Sequence, residues 1–195
     1  FVDSSVAEYV PSAITPATKL VHIETPTNPM MAITDIRAVA DICHARGVEL
    51  SVDNTFLSPY LQQPIALGAD IVMHSTTKFL NWHSDGLGGV LVCTKLEQAE
   101  RFRFVQKCTG GILSPFDSYL LLRGVKTLAV RMKQHEENGR AVAEFLAKKL
   151  GAEKVFYPGL ATHPQHELAK RQQKGFGSML AIELGSLESA NRFAK

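Results

Sequence analysis

The stretches that decide the fold are KLVHIET (19–25), ITDIRAVADICHARG (33–47) and VELSVDNTF (48–56). The first is a compact apolar and β-branched run that stops at PTNP, where the prolines disfavour a helix and favour a turn. The second places apolar residues at helical spacing between Asp35 and Gly47, which predicts a helix with a cap at each end. The third is again strand-like, so a strand, a helix and a strand follow one another.

The alternation continues along the chain. ADIVMHS (69–75) and GGVLVCT (88–94) are two further strand candidates. Apolar runs this continuous are typical of strands that are covered on both faces, as in a parallel sheet. We therefore predict an α/β fold whose mostly parallel sheet carries helices on both faces.

The second half of the chain is predicted to be mainly helical. A Ser-Pro-x-Asp start signal at Ser114 opens a segment that runs, with a possible break at Gly124, to Gly151. Apolar or small residues recur at steps of three and four and predict one buried face, made by Leu128, Met132, His135, Gly139, Val142 and Phe145. Short strands, KVFYPG and GSMLAIEL, follow and predict the opening of a smaller α/β domain.

Composition excludes several classes of function. Of 195 residues, 45% are hydrophobic and 21% charged, and the formal net charge is +2, so no strong field favours nucleic acid or an anionic membrane. No apolar run reaches the roughly 18 residues of a membrane span, and no secretory signal precedes the first strand. Three cysteines without a C-x-x-C pair argue against a disulfide framework or a zinc ribbon, so we expect a cytoplasmic protein.

Two further patterns bear on metals and on completeness. His163 and His166 stand three residues apart, but Pro164 lies between them and no convincing third ligand accompanies them, so we predict no metal site. Phe1 is not an initiator methionine, and the final SANRFAK resembles an unfinished helix. We expect the chain to be a fragment of a longer protein.

Three loops of the predicted sheet combine side chains with complementary chemistry. Ligands of open α/β sheets bind at the carboxyl ends of the strands. The loop at 25–29 supplies the amide of Asn28, the loop at 53–55 supplies the carboxylate of Asp53, and the loop at 75–89 supplies hydroxyl groups and one amine. We expect these loops to meet at one edge of the sheet and to form a ligand site.

Pyridoxal 5'-phosphate (PLP) would use all of these groups. Ser75 and Thr77 can donate hydrogen bonds to its phosphate, and the amine of Lys78 can condense with its aldehyde. An ionised Asp53 beside the pyridine nitrogen would raise the pKa of that nitrogen and keep the ring cationic. Lys78 would then serve twice, as the attachment point of the cofactor and as the base that moves the substrate proton.

The stretch VDNTFLSPYLQQPIALGADIVMHSTTKFLNWHSDGLGG (52–89), preceded by ETPTNP, resembles the Cys/Met-metabolism, or trans-sulfuration, family of PLP-dependent enzymes. The resemblance continues through 113–132 and 163–180, and so covers essentially the whole chain. It implies the PLP-transferase type I, aspartate-aminotransferase-like fold. It also implies roles in cofactor binding for six residues: Lys78 as the attachment lysine, Asp53 as the pyridine partner, Ser75 and Thr77 as phosphate ligands, Asn28 near the 3'-oxygen, and Thr55 near the ring.

The resemblance also implies a reaction. The stretches NWHSDGLGG (81–89) and SPFDSYLLLRGVKTL (114–128) are most similar to those of cystathionine γ-lyase and γ-synthase, so we expect γ-elimination or γ-replacement on cystathionine or an activated homoserine. The alternatives are cystathionine β-lyase, methionine γ-lyase or homoserine-ester sulfhydrylase activity, or a catalytically impaired PLP-binding homologue. The weakest alternative is a scaffold without cofactor. The partners implied are a small amino-acid substrate and three further copies of the chain, in a homotetramer built as a dimer of dimers.

Two departures from the family pattern concern the completeness of the site. Trp82 stands where the family has a glycine, next to the segment of Lys78. The arginine that binds the substrate carboxylate in the family would lie beyond Lys195, and the tyrosine that stacks on the cofactor would precede Phe1. We expect residues 1–129 to be part of the large, PLP-binding domain and residues 130–195 to be a linking helix and the first part of the C-terminal domain.

Overall fold

The computed structural model describes residues 1–81 and 83–195. Its centre is a four-stranded sheet in the order β1-β2-β3-β4. The first three strands are parallel and β4 runs antiparallel to β3. The strands are β1 Leu20–Glu24, β2 Glu49–Asp53, β3 Ile71–Ser75 and β4 Gly89–Cys93. The prediction of an α/β fold with a mostly parallel sheet is confirmed.

The register of the sheet brings the three candidate loops to one edge. Glu24, the last residue of β1, pairs with Asp53, the last residue of β2. Asp53 in turn pairs with Met73, and Ser75 at the end of β3 pairs with Gly89. Because parallel strands end on the same side, the loops that follow β1, β2 and β3 lie side by side.

One face of the sheet is covered by a capped amphipathic helix. Helix α2 (Ile36–His44) begins where the Asp35 carboxylate accepts the backbone N–H of Ala38 at 3.0 Å. The chain leaves the helix through Gly47, whose φ of +65° lies in the left-handed region that favours glycine. A short 3₁₀ turn (Ala7–Tyr9) and helix α1 (Val10–Ala13) pack beside it. The core beneath comprises Val10, Ile23, Ile36, Val39, Ala40, Cys43, Val48, Leu50, Val52, Ala69 and Val72.

A second apolar core lies under the loop that follows β3. That loop begins with one π-helical turn (Thr76–Leu80), and a short helix α3 (Ser58–Leu61) and a 3₁₀ turn (Pro64–Leu67) precede β3. The core joins the π-helical turn to α3 and to the long helix of the second half. Its members are Leu57, Leu61, Phe79, Leu80, Leu128 and Met132.

Three long helices follow the sheet: α4 (Leu96–Thr109), α5 (Pro115–Val125) and α6 (Leu128–Leu150). The hydroxyl of Ser114 accepts the backbone N–H of Asp117 at 3.0 Å, which confirms the predicted helix start. The break falls just after Gly124, between Val125 and Leu128.

The predicted buried face of α6 is correct only in part. Leu128, Met132 and Gly139 are buried, but Val142 and Phe145 are 48% and 57% exposed. The buried residue in the second half of α6 is Ala143, which packs with Val155 and Tyr157. The backbone of Ser178 approaches α6 closely at Gly139, so the second half of the buried face takes the small residues Gly139 and Ala143, and Val142 and Phe145 lie outside it.

The chain ends in a small antiparallel unit. A 3₁₀ turn (Ala152–Lys154) leads into β5 (Val155–Phe156), which pairs with β6 (Ala181–Ile182), and helices α7 (His166–Gln172) and α8 (Leu187–Phe193) complete it. Its core forms around Ala143, Val155 and Tyr157. Among residues 1–81 and 83–195, no helix combines the length and the apolar character needed to cross a bilayer.

Candidate active site

A cleft of about 1000 Å³ opens at the edge of the sheet where the strand ends meet. Of the six predicted site residues, Asn28, Thr77 and Lys78 line it directly. Its volume suits a small-molecule ligand, since such sites typically measure roughly 300–1,000 Å³. The lining also includes Phe56, Phe79, Ser84, Asp85, Gly86, Leu87, Asp117 and Met179.

The backbone at Lys78 exposes its side chain to this cleft. Lys78 has φ −89° and ψ −134°, which interrupts the π-helical turn between Thr76 and Leu80. The next residue, Phe79, is 1% exposed and packs in the second core, whereas Lys78 itself is exposed. The buried neighbour fixes the segment, and the kink turns the amine away from the core.

Arg131 of α6 binds the backbone of the π-helical turn that contains Lys78. Its guanidinium donates to the carbonyl oxygens of Phe79 and Gly124, each at 2.8 Å, and Nε donates to the Thr127 hydroxyl at 3.0 Å. Burial lowers the pKa of Arg131. The sequence analysis did not select Arg131, because an arginine within a helix has no signature that distinguishes it from a solvated one.

The other three predicted residues form a hydrogen-bonded chain at the ends of β2 and β3. Oδ1 of Asp53 accepts the hydroxyl of Thr55 at 2.6 Å and its backbone N–H at 2.9 Å. The Thr55 hydroxyl oxygen accepts the backbone N–H of Ser75 at 2.8 Å. Among the described residues, Oδ2 of Asp53 accepts no hydrogen bond, so one carboxylate oxygen is available to a ligand.

Glu24 is a second carboxylate beside Asp53 that the sequence analysis missed. Burial, with a smaller contribution from the charge of Asp53, raises the pKa of Glu24. Its Oε2 accepts the backbone N–H of Asn28 at 3.4 Å, which ties the first candidate loop to the end of β1. The pairing of β1 with β2 could have revealed Glu24, because it places the two strand ends side by side.

A glycine loop supports the hydroxyl groups that follow β3. The backbone N–H of Gly88 donates to the Thr77 hydroxyl at 3.1 Å, and the carbonyl of Gly88 accepts the N–H of Thr76 at 2.9 Å. A Cβ at Gly88 would lie 2.5 Å from the Leu113 side chain and 2.8 Å from the Thr76 hydroxyl, so a larger residue here would have to displace these side chains. Thr77 is thereby fixed at the mouth of the cleft.

Two carboxylates also line the cleft. Asp85 and Asp117 both line it, and Asp85 accepts the Asn81 side-chain amide at 2.8 Å. Met179 comes from the C-terminal unit, so the cleft lies between that unit and the sheet. Trp82, which stands in place of the family glycine, lies outside the described residues.

Three histidines of the chain, His74, His163 and His166, have different surroundings. His74 is buried, and burial lowers its pKa although the charge of Asp53 opposes the shift. His163 bonds the carbonyl of Met31 at 3.1 Å, and His166 bonds that of Pro158 at 2.7 Å. These two histidines therefore bind the backbone.

Comparisons with known proteins find the same family along the chain. The family model described as Cys/Met metabolism PLP-dependent enzyme matches residues 1–195. A cystathionine gamma-lyase of Bacillus subtilis (strain 168) is 51% identical over 193 residues, which cover 99% of this chain and 51% of that protein. A cystathionine gamma-synthase of Mycobacterium tuberculosis (strain ATCC 25618 / H37Rv) is 52% identical over 175 residues, which cover 90% of this chain and 45% of that protein.

The fold agrees as well. The crystal structure of metB from Corynebacterium glutamicum matches with a TM-score of 0.95 and 50% sequence identity, covering 98% of this chain and 50% of that one. The chain thus spans about half the length of the relatives it matches. By its sequence over all 195 residues and by its fold, the chain belongs to the Cys/Met metabolism family of PLP-dependent enzymes.

Proposed function

We propose that the protein binds PLP and catalyses γ-elimination or γ-replacement on cystathionine or an activated homoserine. The observation that carries this proposal is the kink at Lys78, which exposes one amine in a cleft between Asn28 and Thr77. Relatives named cystathionine gamma-lyase and cystathionine gamma-synthase, at about half identity, support the choice of reaction.

The donor groups at the cleft fit the cofactor. The amine of Lys78 would hold the aldehyde carbon, the Ser75 and Thr77 hydroxyls would hold phosphate oxygens, and Asn28 would hold the 3'-oxygen. Oδ2 of Asp53, which accepts no hydrogen bond from residues 1–81 and 83–195, would hold the pyridine N–H, while Thr55 keeps Oδ1 in place. The backbone N–H of Gly88 donates to the Thr77 hydroxyl at 3.1 Å, which keeps the loop close to that residue.

When bound, PLP supplies an aldehyde that condenses with amines and a cationic ring that withdraws electrons from the amino-acid Cα. The residues of the chain supply the rest. Asp53 holds the proton on the ring nitrogen, because an ionised carboxylate raises the pKa of a base beside it. Lys78 removes the proton from Cα and can move protons along the substrate side chain, where the γ-substituent departs.

The lysine assignment has a direct test. Full-length protein should show the visible absorption of lysine-bound PLP, and reduction with borohydride should fix the cofactor on the peptide that contains Lys78. Lys78→Ala should lose both signals. Lys95→Ala is the control, because Lys95 lies beyond the end of β4 and its amine pairs with Glu49 and Asp70, away from the cleft lining. A Lys78→Ala variant that keeps the band would refute the assignment.

The products distinguish the reactions. With cystathionine as substrate, γ-cleavage releases cysteine and 2-oxobutanoate with ammonia, whereas β-cleavage releases homocysteine and pyruvate with ammonia. With an activated homoserine and cysteine, γ-replacement forms cystathionine. Mass spectrometry of the products from each mixture therefore separates the proposed activity from the β-lyase alternative. Homoserine-ester sulfhydrylase activity would require sulfide in place of cysteine.

A catalytically impaired PLP-binding homologue is the second candidate, favoured by Trp82 in place of the family glycine. Activity of the parent protein on any of these substrates excludes it. If the parent binds PLP without turnover, Trp82→Gly should restore release of the oxo acid. An inactive Trp82→Gly variant would show that the indole is not the cause.

We further propose residues 1–129 as part of a PLP-binding domain and residues 130–195 as a linking helix and the first part of a C-terminal domain. A separate core around Ala143, Val155 and Tyr157 supports that division. We also propose a cytoplasmic homotetramer. Large apolar side chains exposed on α4 and α5 are consistent with further packing partners: Phe104, Phe116, Tyr119 and Leu122. Light scattering of the full-length protein tests the tetramer.

A further inference from the structure

Three side-chain amides form a continuous hydrogen-bonded chain from α7 to the end of β2. Nε2 of Gln172, at the end of α7, donates to Oε1 of Gln62 at 3.0 Å. Nε2 of Gln62 donates to Oδ1 of Asn54 at 2.9 Å. Asn54 directly follows Asp53, the carboxylate proposed to bind the cofactor ring. The chain therefore runs from the C-terminal unit to the end of β2.

Every hydrogen of these three amides is used. Gln172 also donates to the Thr34 carbonyl at 3.1 Å, and Gln62 also donates to the Thr25 carbonyl at 3.0 Å. Asn54 donates to the carbonyls of Ser58 and Gln62, at 3.1 and 2.8 Å. Each amide thus meets at least one backbone carbonyl, which fixes which end is nitrogen and which is oxygen.

The network is buried where it meets the site. Gln62 is 1% exposed and Asn54 is fully buried, so an unpaired amide there would cost the full desolvation of a polar group. Thr25 joins the same group of contacts, because its backbone N–H donates to the Asp53 carbonyl at 3.4 Å. Asp53 is consequently held on both sides, through its own carbonyl and through Asn54.

Helix α7 and the turn before it also hold the segment that follows the Asn28 loop. Oε1 of Gln172 accepts the backbone N–H of Ile36, and Oε1 of Gln165 accepts that of Ile33, both at 2.9 Å. His163 bonds the Met31 carbonyl at 3.1 Å. Three side chains of the C-terminal unit thus bind the segment that joins Asn28 to α2.

We propose that Gln172 is a positioning residue for PLP: through Gln62 and Asn54 it couples the docking of the C-terminal unit to the placement of Asp53, and through Ile36 to that of the Asn28 loop. Gln172 itself touches neither the cleft nor the proposed cofactor ligands. This inference rests on the proposed function, because it assigns the network to the affinity of the same PLP site. Loss of Gln172 should weaken PLP binding beyond any effect on stability.

The experiment measures the dissociation constant of PLP from the full-length apoprotein, by absorption or fluorescence titration. Gln172→Met keeps the volume and removes all three hydrogen bonds. Gln172→Glu keeps the acceptor for Ile36 and removes both donors. Each should raise the Kd of PLP about tenfold or more. A tenfold change in Kd has the same free energy as the net contribution of one or two hydrogen bonds. If Gln172→Met does not fold, Gln172→Asn, shorter by one methylene, should raise the Kd in the same direction.

Two controls separate positioning from stability. Lys170→Met alters an exposed residue of α7 whose side chain, within the described part of the chain, hydrogen-bonds only Glu167, and it should leave the Kd unchanged. Ala143→Gly weakens the core of the C-terminal unit without touching the network, and it should lower the Tm of the apoprotein with little change in Kd. A Gln172 variant that lowers only the Tm, as Ala143→Gly does, would overturn the proposal.

The outcomes also separate this proposal from the one it rests on. A parent protein that takes up no PLP, or takes it up identically after Lys78→Ala, overturns the proposed function and this inference together. A parent that binds PLP through Lys78, with unchanged Kd in both Gln172 variants, overturns this inference alone. A raised Kd in both, with both controls near the parent value, supports it.

Discussion

The hydroxyl of Thr55 donates a 2.6 Å hydrogen bond to Oδ1 of Asp53. Its oxygen also accepts the backbone N–H of Ser75 at 2.8 Å. One side chain therefore joins the ends of β2 and β3 and leaves a single oxygen of the carboxylate for a ligand. The distance between the proposed ring ligand and the proposed phosphate ligand is set by this contact.

Removing the hydroxyl should loosen the site. Thr55→Val keeps the shape, deprives Asp53 of one donor and leaves the Ser75 N–H unpaired. A hydrogen bond to a charged group contributes roughly 1.5–3 kcal/mol, so we expect the Kd of PLP to rise about tenfold to a hundredfold. Titration of the apoprotein measures it. Thr55→Ser, which retains the hydroxyl, should stay near the parent, and equal affinities for all three proteins would contradict the role of Thr55.

Neutralising Asp53 should reduce turnover more than binding. Asp53→Asn keeps an oxygen for Thr55 but removes the charge that favours the protonated ring. Because an opposite charge shifts the pKa of its neighbour by about 1–3 units, kcat should fall roughly tenfold to a thousandfold. Steady-state kinetics on the active substrate give kcat and KM separately. Asp41→Asn on the exposed side of α2 is the control, and a parent-like kcat in Asp53→Asn would exclude a role in charge stabilisation.

The sequence predicted the parts of the molecule that depend on local patterns. The alternation of strands and helices and the caps at Asp35 and Ser114 follow from periodicity and from side chains that bond nearby backbone. Asn28, Thr77 and Lys78 could be placed at one cleft because parallel strands end on the same side. That these residues share one cleft could therefore be predicted from the sequence, but the distances between their side chains could not.

What the sequence could not predict depends on contacts between distant residues. Gln172 and Gln62 are 110 positions apart, and Arg131 and Phe79 are 52 apart, so no local pattern connects either pair. The predicted buried face of α6 was wrong at Val142 and Phe145. Helical spacing alone does not show which side of the helix packs against Ser178 and Val155. A hydrophobic pattern predicts that one face of a helix is buried, but the elements that pack against the helix determine which residues form that face.

Arg131 should matter for the stability of the lysine segment. Its guanidinium donates hydrogen bonds to Phe79, Gly124 and Thr127 at the same time. The single amine of lysine cannot reach all three acceptors. Arg131→Lys should therefore lower the free energy of unfolding by roughly 1–3 kcal/mol, because lysine cannot keep all three of these charged hydrogen bonds. Urea denaturation measures the change. Arg140→Lys, at an exposed position of α6, should be near neutral, and equal losses in both variants would remove any special role of Arg131.

Gly139 should resist a change that usually stabilises helices. Alanine has a helix propensity better than that of glycine by about 1 kcal/mol. A Cβ at Gly139, however, would lie 2.7 Å from Cα of Ser178 and 3.2 Å from the Gly177 carbonyl oxygen. Because the obstacle is backbone, Gly139→Ala should destabilise the protein by roughly 1–3 kcal/mol through overpacking. Thermal unfolding measures the change, and Glu137→Ala, at an exposed position on the same helix, is the control. A Gly139→Ala protein that is more stable than the parent would contradict the close approach of Ser178.

Tyr157 should make the stability of the C-terminal unit depend on alkaline pH. Burial, with a smaller contribution from the charge of Glu136, raises its pKa to about 12. Its hydroxyl donates to the Gly177 carbonyl at 2.9 Å. Above about pH 10 the unfolded chain releases the phenol proton while the folded chain retains it, so the free energy of unfolding falls as pH rises. The stabilisation is fully present below pH 10 and is lost between about pH 10 and pH 12.

A comparison with Tyr157→Phe isolates this effect. Phenylalanine loses the hydrogen bond, which at neutral pH should cost about 1 kcal/mol, but it cannot ionise. The advantage of the parent over Tyr157→Phe should therefore shrink above pH 10 and reverse as the pH approaches 12. Denaturant unfolding of both proteins at pH 8 to 11 gives the difference, and the titration of the other tyrosines cancels because both proteins contain them. A difference that stays constant over this range would show that the phenol titrates alike in the folded and unfolded chains.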